Sequence, residues 1–144
     1  LYDNFQFSLA YQNVKESRHN RKFGKDDLTS REESVDVYSA NLDFDKSLDL
    51  KSNLFYGVEA IYNKVNSTAK TININTNEKS PASTRYPDGG TNYYAYAAYL
   101  SLKSNLSKKF TFSSGIRLNA VGLTSTFLDK TFYFLFLFFQ KPYL

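Results

Sequence analysis

One histidine, fourteen carboxylates and no cysteine set narrow limits on the chemistry this chain can do. His19 lies in "SRHNRKFGKDD", flanked by Arg18, Arg21, Lys22 and Lys25 and then by Asp26 and Asp27. That run reads as a solvated loop, or as a surface patch touching lipopolysaccharide phosphates or another anion. A lone imidazole without thiolates falls short of the three or four ligands a transition metal takes, so no metal site is expected. Glu32 and Glu33 are adjacent, so on a strand they point to opposite faces and cannot act as an acid/base pair. "DFDKSLD" (43–49) fails as a calcium loop because Leu48 stands where glycine is needed. No serine or threonine has a histidine and carboxylate at a recognisable spacing. No catalytic residue, cofactor or enzymatic activity is expected.

Four residues are better placed for binding. Glu59 and Arg117 are single charges on the more polar face of their alternating stretches. They could meet each other, a ligand, or a domain lodged against that face. Arg85 and Tyr86 precede a Pro-Asp-Gly-Gly turn and offer a planar cation and an aromatic ring to a ligand, if the loop is more than ordinary turn chemistry.

These residues must be positioned by strands, because period-two alternation dominates the chain. "FQFSLAY" (5–11) sets Phe5, Phe7, Leu9 and Tyr11 against Gln6, Ser8 and Ala10. Four further segments alternate in the same way, at 35–45, 53–63, 93–106 and 110–120. Their apolar faces carry Tyr38, Leu42 and Phe44; Leu54, Tyr56, Val58 and Tyr62; Tyr94, Tyr96, Leu100 and Leu102; and Phe110, Phe112, Ile116 and Leu118. Of the full charges within them, Asp43, Asp45, Glu59, Lys103 and Arg117 fall on the other face, while Asp36, at the start of its segment, shares the parity of Tyr38. Aromatics near both strand ends, with small and aliphatic residues between, match the interfacial girdles of a membrane barrel wall.

The connections sharpen this reading. Short polar turns are expected at 45–53 and 103–109, and long polar loops at 13–34 and 66–91. Long loops at one end and short turns at the other, joined by strands of about 9–11 tilted residues, describe an outer-membrane barrel. The apolar faces are therefore expected to meet lipid. No stretch approaches the roughly 18 apolar residues of a membrane-crossing helix. With 13 Phe and 12 Tyr sharing faces with aliphatics, and a net charge of only +4, a nucleic-acid groove is not expected. The fold class is all-β, antiparallel and up-and-down, with about five to six strands of an incomplete barrel.

Several phrases carry a resemblance: "SRHNRKFG", "REESVDVYSANLDFDKSL", "LFYGVEAIYNKVNST", "STRYPDGGTNYYAYAAYLS" and "KFTFSSGIRLNAVGLTSTFLDKTFY". Over roughly residues 5–133 the chain resembles the barrel of TonB-dependent outer-membrane receptors of the Bacteroidetes type. The resemblance implies a 22-stranded barrel holding an N-terminal plug and driven through TonB. It implies energised uptake of a scarce ligand such as an iron chelate, cobalamin or a glycan. Its partners would be outer-membrane lipid, the plug and the TonB system, with the ligand itself unnamed. Neither plug nor TonB segment is in this sequence, so residues 1–131 read as an internal barrel fragment, inactive alone. A passive porin-like channel or small barrel, and a soluble β-rich adhesion module, are the alternatives.

The end departs from the family. Residues 132–139 are eight consecutive apolar residues, which break the alternation and form an aggregation-prone segment. Residues 132–144 read either as the product of a frame slip or gene truncation, or as a lipid-facing strand terminus. The chain lacks methionine and begins at Leu1, which fits a piece of something longer.

The face assignment has a direct test. Ala98→Arg places a charge on the proposed lipid side, at about 2–4 kcal/mol near the bilayer midplane. In the intact outer-membrane protein it should block assembly, read as loss of heat-modifiable migration in the membrane fraction. Normal assembly would remove Ala98 from the lipid face.

Overall fold

The computed structural model describes residues 1–128, so the expectations for the apolar end and for a boundary at 131/132 lie outside the described residues. Six strands form in chain order: β1 (Asn4–Arg21), β2 (Asp27–Ser47), β3 (Ser52–Asn73), β4 (Lys79–Pro81), β5 (Thr91–Ser107) and β6 (Phe110–Ser125). They make one open antiparallel sheet in the order β1-β2-β3-β5-β6, with the short β4 paired to β3. In that pairing Lys70 faces Pro81, and Thr71 and Ile72 face Ser80 and Lys79. The described residues contain no helix.

The chain packs as two compact units. The first holds Leu1–Gln12, Val37–Asn63 and Tyr93–Leu123. The second holds Asn13–Asp36, Lys64–Asn92 and the stretch from Thr124.

In the first unit, Ala97 is the one apolar residue buried among the described residues, while Leu9, Val58, Ile116 and Leu118 are each more than half exposed. A water-soluble β-domain must hide such side chains in an interior, and here they have none. Aromatic rings instead line up across neighbouring strands in two rows. One row runs Tyr11–Tyr38–Tyr62–Tyr94, with centroids 5.0, 6.0 and 5.2 Å apart. The other joins Tyr2 and Phe5 to Phe44 and then Phe44 to Tyr56, the last pair stacked at 5.1 Å. Tyr2, Phe5 and Tyr11 thus take places in rows that alternation alone does not assign. Between the rows, Ala40, Ala60, Ala98 and Ala120 floor a shallow apolar groove of about 510 Å³ edged by Phe7 and Tyr96.

The second unit corrects the expected long loops. β1 continues through the polar run to Arg21, and β2 starts at Asp27 after a short turn closed by Lys25 N–H to Lys22 O at 3.1 Å. Gly24 takes the positive φ of +70° that this turn requires. β3 likewise continues to Asn73, where Asn77 N–H returns to Asn73 O at 2.8 Å and Asn77 itself adopts φ 59°. Asparagine tolerates that conformation better than most residues. The extensions carry polar residues on both sides, so they lack the apolar alternation that marks a strand in sequence. Their backbone ladder forms all the same, because a wet strand still pairs its amides. Besides Pro87, the buried side chains in this unit are polar: Ser30, Glu33, Ser67 and Thr91.

The other ends of the strands turn tightly, as their composition leads one to expect. Leu48 N–H bonds to Ser52 O, and Asp49 Oδ1 accepts the Lys51 N–H at 2.6 Å. β5 and β6 are joined by Lys108 and Lys109, with Lys109 N–H on Ser107 Oγ. The Lys51 amide, and then Ser52, hold the Asp49 carboxyl below its ordinary value of 3.8. A depressed folded-state pKa stabilises the turn above the unfolded value and ceases to do so as pH falls through the folded one. The Lys51 amide proton resonance should therefore hold steady from neutrality to about pH 5. It should move only as the pH drops below the ordinary aspartate range. Titration at the ordinary aspartate value would dismiss the contact.

Candidate functional site

Two clusters arise, one in each unit. In the first unit, neighbouring strands lie about 4.8 Å apart, so groups on next-but-one strands are roughly 10 Å apart and meet only over something small. Two such bridges form. Tyr99 on β5 reaches over Gly57 on β3 and donates its hydroxyl to Asp43 Oδ1 on β2 at 2.7 Å. A Cβ on Gly57 would stand 2.7 Å from Tyr99 Cε1 and 2.8 Å from Asp43 Oδ1, so glycine is needed for the ring to lie flat. Two residues along each strand, and on the same side by alternation, Arg117 on β6 pairs with Glu59 on β3 at 3.3 Å. The strand between them presents Ala97, a methyl group. Arg117 Nε also donates to Asn119 Oδ1 at 3.0 Å. Glu59 and Arg117, two residues singled out by sequence, are thus brought together. Both are partly exposed, so the pair adds about 1 kcal/mol or less to stability.

The second cluster gathers on β1, β2 and the 82–90 loop. Glu16 and Arg18 are two apart on β1, as are Arg31 and Glu33 on β2, and period two puts each pair on one side. Arg18 Nε donates to Glu16 Oε1 in a short contact, and Arg85 Nη1 approaches the other Glu16 oxygen at 3.8 Å. The Arg85 guanidinium lies 5.7 Å from the Tyr86 ring centroid. Arg31 fastens the loop, its Nε donating to Ser83 O at 3.1 Å, and also reaches Asn20. The far end of the loop is the Pro-Asp-Gly-Gly turn, closed by Gly90 N–H to Pro87 O. That turn is tied to the chain beyond β6 by Gly89 N–H to Thr126 O, Thr126 N–H to Gly90 O, and Leu128 N–H to Asp88 Oδ1.

Glu33 is only 7% exposed, and no protein donor meets either of its carboxylate oxygens. The Ser67 hydroxyl is buried and likewise without a protein partner. Arg18 is raised above its ordinary pKa by Glu16 first, with smaller contributions from Glu33 and Tyr86. The last two therefore lie within electrostatic reach of that guanidinium.

Sequence reasoning singles out Arg85 and Tyr86, names Arg18 only within the basic run around His19 and Glu33 only as one of two adjacent acids, and passes over Glu16 and Arg31. Their signal was the opposite-charge spacing of two, which has meaning only once the segments are known to be strands. Asp43, Gly57 and Tyr99 were missed because a bridge across two strand spacings leaves no local pattern. His19 lines a polar groove of about 520 Å³ with Lys15, Ser17, Glu32, Asn66 and Thr68, which Glu16 and Glu33 of the second cluster also border. Among the described residues, no three acidic or histidine side chains gather as a metal ion would require.

Residues 2–139 match the model of a family described as the outer membrane protein beta-barrel family. No curated protein and no solved structure matches the chain.

The Gly57 bridge can be measured. Gly57→Ala should destabilise the protein by about 1–3 kcal/mol through forced displacement of the ring, and Tyr99→Phe by about 1 kcal/mol through the lost hydrogen bond. Urea titration in lipid vesicles ranks the two. Equal stability of Gly57→Ala and the parent would show that the ring does not depend on the glycine.

Proposed function

The chain belongs to the outer membrane protein beta-barrel family, and from that premise we propose that it forms part of the wall of a TonB-dependent receptor. Members of this family reside in the bacterial outer membrane, and the all-β sheet fits that place. A soluble adhesion module is set aside by the family match and by the lack of an apolar interior.

The observation carrying the receptor reading is the difference between the two sides of the sheet in the first unit. One side bears the aromatic rows, with an alanine-floored band between them. The other carries the Tyr99–Asp43 and Arg117–Glu59 bridges. Lipid covers the first side, along residues 38–62 and 94–118. The second faces the lumen, where Glu59 and Arg117 contact the plug or line the ligand path. Charges held in bridges across strands present a fixed polar surface, which suits a docked domain better than a wide stream of water. Arg85 and Tyr86 contact ligand at the loop end. The phrases shared with Bacteroidetes-type receptors supply the further step to energised uptake of an iron chelate, cobalamin or a glycan.

The experiment compares uptake of a labelled ferric chelate, cobalamin and an oligosaccharide by three strains of the source bacterium. One is wild type, one lacks this gene, and one lacks TonB. The expected result is loss of the same ligand in both mutants. Undiminished energised uptake, with slower passive entry of small solutes on deletion, would replace the receptor with a porin-like channel.

A further inference from the structure

The charges of the second cluster do not balance where they are accessible. Arg18 and Arg85 have side chains 54% and 48% exposed, and both lean on the single carboxylate of Glu16. Each takes one oxygen, and the Arg85 contact is long at 3.8 Å. Arg31 is committed to the loop backbone and Asn20, and the cluster's other carboxylates are Glu33, which is buried, and Asp88, which accepts the Leu128 N–H at the far end of the loop. Two exposed guanidinium groups therefore share one exposed anion. A guanidinium has five N–H donors, and these contacts engage one nitrogen of each. The donors left over are in the planar fork arrangement that fits carboxylate or phosphate oxygens. Tyr86 is 39% exposed beside them and offers a flat apolar flank.

We infer that Arg18 and Arg85, with Tyr86 alongside, form a binding site for an oxyanion, a carboxylate or phosphate group, with a planar group attached to it favoured by the ring. Glu16 acts as the internal competitor, holding the two cations close while the site is empty. The loop is suited to this role. It is fixed at Arg31–Ser83 on one side and at the Pro-Asp-Gly-Gly turn on the other, so Arg85 is carried on a short tethered segment. This takes up the Arg85 and Tyr86 contact of the receptor reading and gives the ligand its chemistry. Binding in detergent, however, does not depend on energised uptake.

The test is calorimetric titration of the full-length outer-membrane protein in neutral detergent with benzoate, inorganic phosphate and benzamide, the uncharged counterpart of benzoate. Benzoate and phosphate should bind, more weakly as salt is raised, and benzamide should not. Arg18→Ala and Arg85→Ala should each weaken benzoate binding about tenfold, because charge-assisted hydrogen bonds are lost. Glu16→Gln should tighten it about three- to tenfold, since the competing carboxylate is gone. A site that is merely a structural ion-pair network predicts no such gain. Arg85→Lys keeps the charge, and heat-modifiable migration of every variant checks its assembly. Equal binding of benzamide and benzoate would overturn the inference, as would a Glu16→Gln variant that binds no more tightly. Co-sedimentation with phosphatidylglycerol or phosphatidylcholine vesicles identifies the source of the oxyanion. Arg85-dependent preference for phosphatidylglycerol supports the same chemistry on a lipid headgroup, and benzoate binding without that preference supports a dissolved ligand. Benzoate binding without energised uptake leaves the site standing and removes the receptor; energised uptake without benzoate binding does the reverse.

Discussion

Everything in this protein follows from a sheet that has no apolar interior to fold around. Hydrophobic burial, the main driving force of a soluble domain, is only partial among the described residues, where Ala97 is the one hydrophobic side chain classed as buried. What holds the strands in register is the backbone ladder, backed by side chains that meet across it. In hydrocarbon that ladder has no competing water, and each amide left unpaired would cost several kcal/mol. A place in the outer membrane, which the family match gives, is consistent with such a sheet.

With the backbone as the main cohesive element, side-chain contacts are arranged laterally, strand to strand. On one side of the first unit they are aromatic rings in rows, each ring touching the next across one strand spacing. On the other side they are polar bridges that leap a strand over Gly57 or Ala97. Small residues do different work on the two sides. Alanines between the rows leave a smooth band, whereas Gly57 and Ala97 open space for a longer neighbour. A bridge that joins three strands also resists slippage of the middle one, which a contact between adjacent strands cannot do alone. In the second unit the same lateral logic works with charges. Glu16–Arg18 and Arg31–Glu33 repeat the spacing of two on adjacent strands, and the 82–90 loop is fastened to them.

The alternation of Phe, Tyr and Leu with Ser, Asn and Asp was enough to read strand, antiparallel sheet and apolar face, because period two is imposed by the pleat on every residue. It also placed tight turns within 45–53 and 103–109, which the structure narrows to 48–51 and 108–109, and whose polar residues have local reasons to turn. It failed at 13–21, 27–34 and 66–73, which are strand, while most of 74–90 is the loop expected. In those strand stretches both faces are polar, no apolar period exists, and a strand looks like a loop. Glu59, Arg117, Arg85 and Tyr86 stood out as charges or aromatics in unusual company, and a Glu59–Arg117 meeting was among the possibilities, but the partner of Arg85 was not. Glu16, for one, lies 69 residues from Arg85 in the chain.

By itself, then, the sequence determined which side of the apolar strand segments is apolar and where the chain makes its two short polar turns, since both depend on residues one to four positions apart. Only the tertiary structure decided which side chains meet. The Tyr99–Asp43 bond spans 56 residues and Arg117–Glu59 spans 58, and each depends on what the intervening strand presents at one position. Register between distant strands sets that position. It is a property of the assembled sheet, fixed by the sum of all its pairings and carried by no short stretch of sequence.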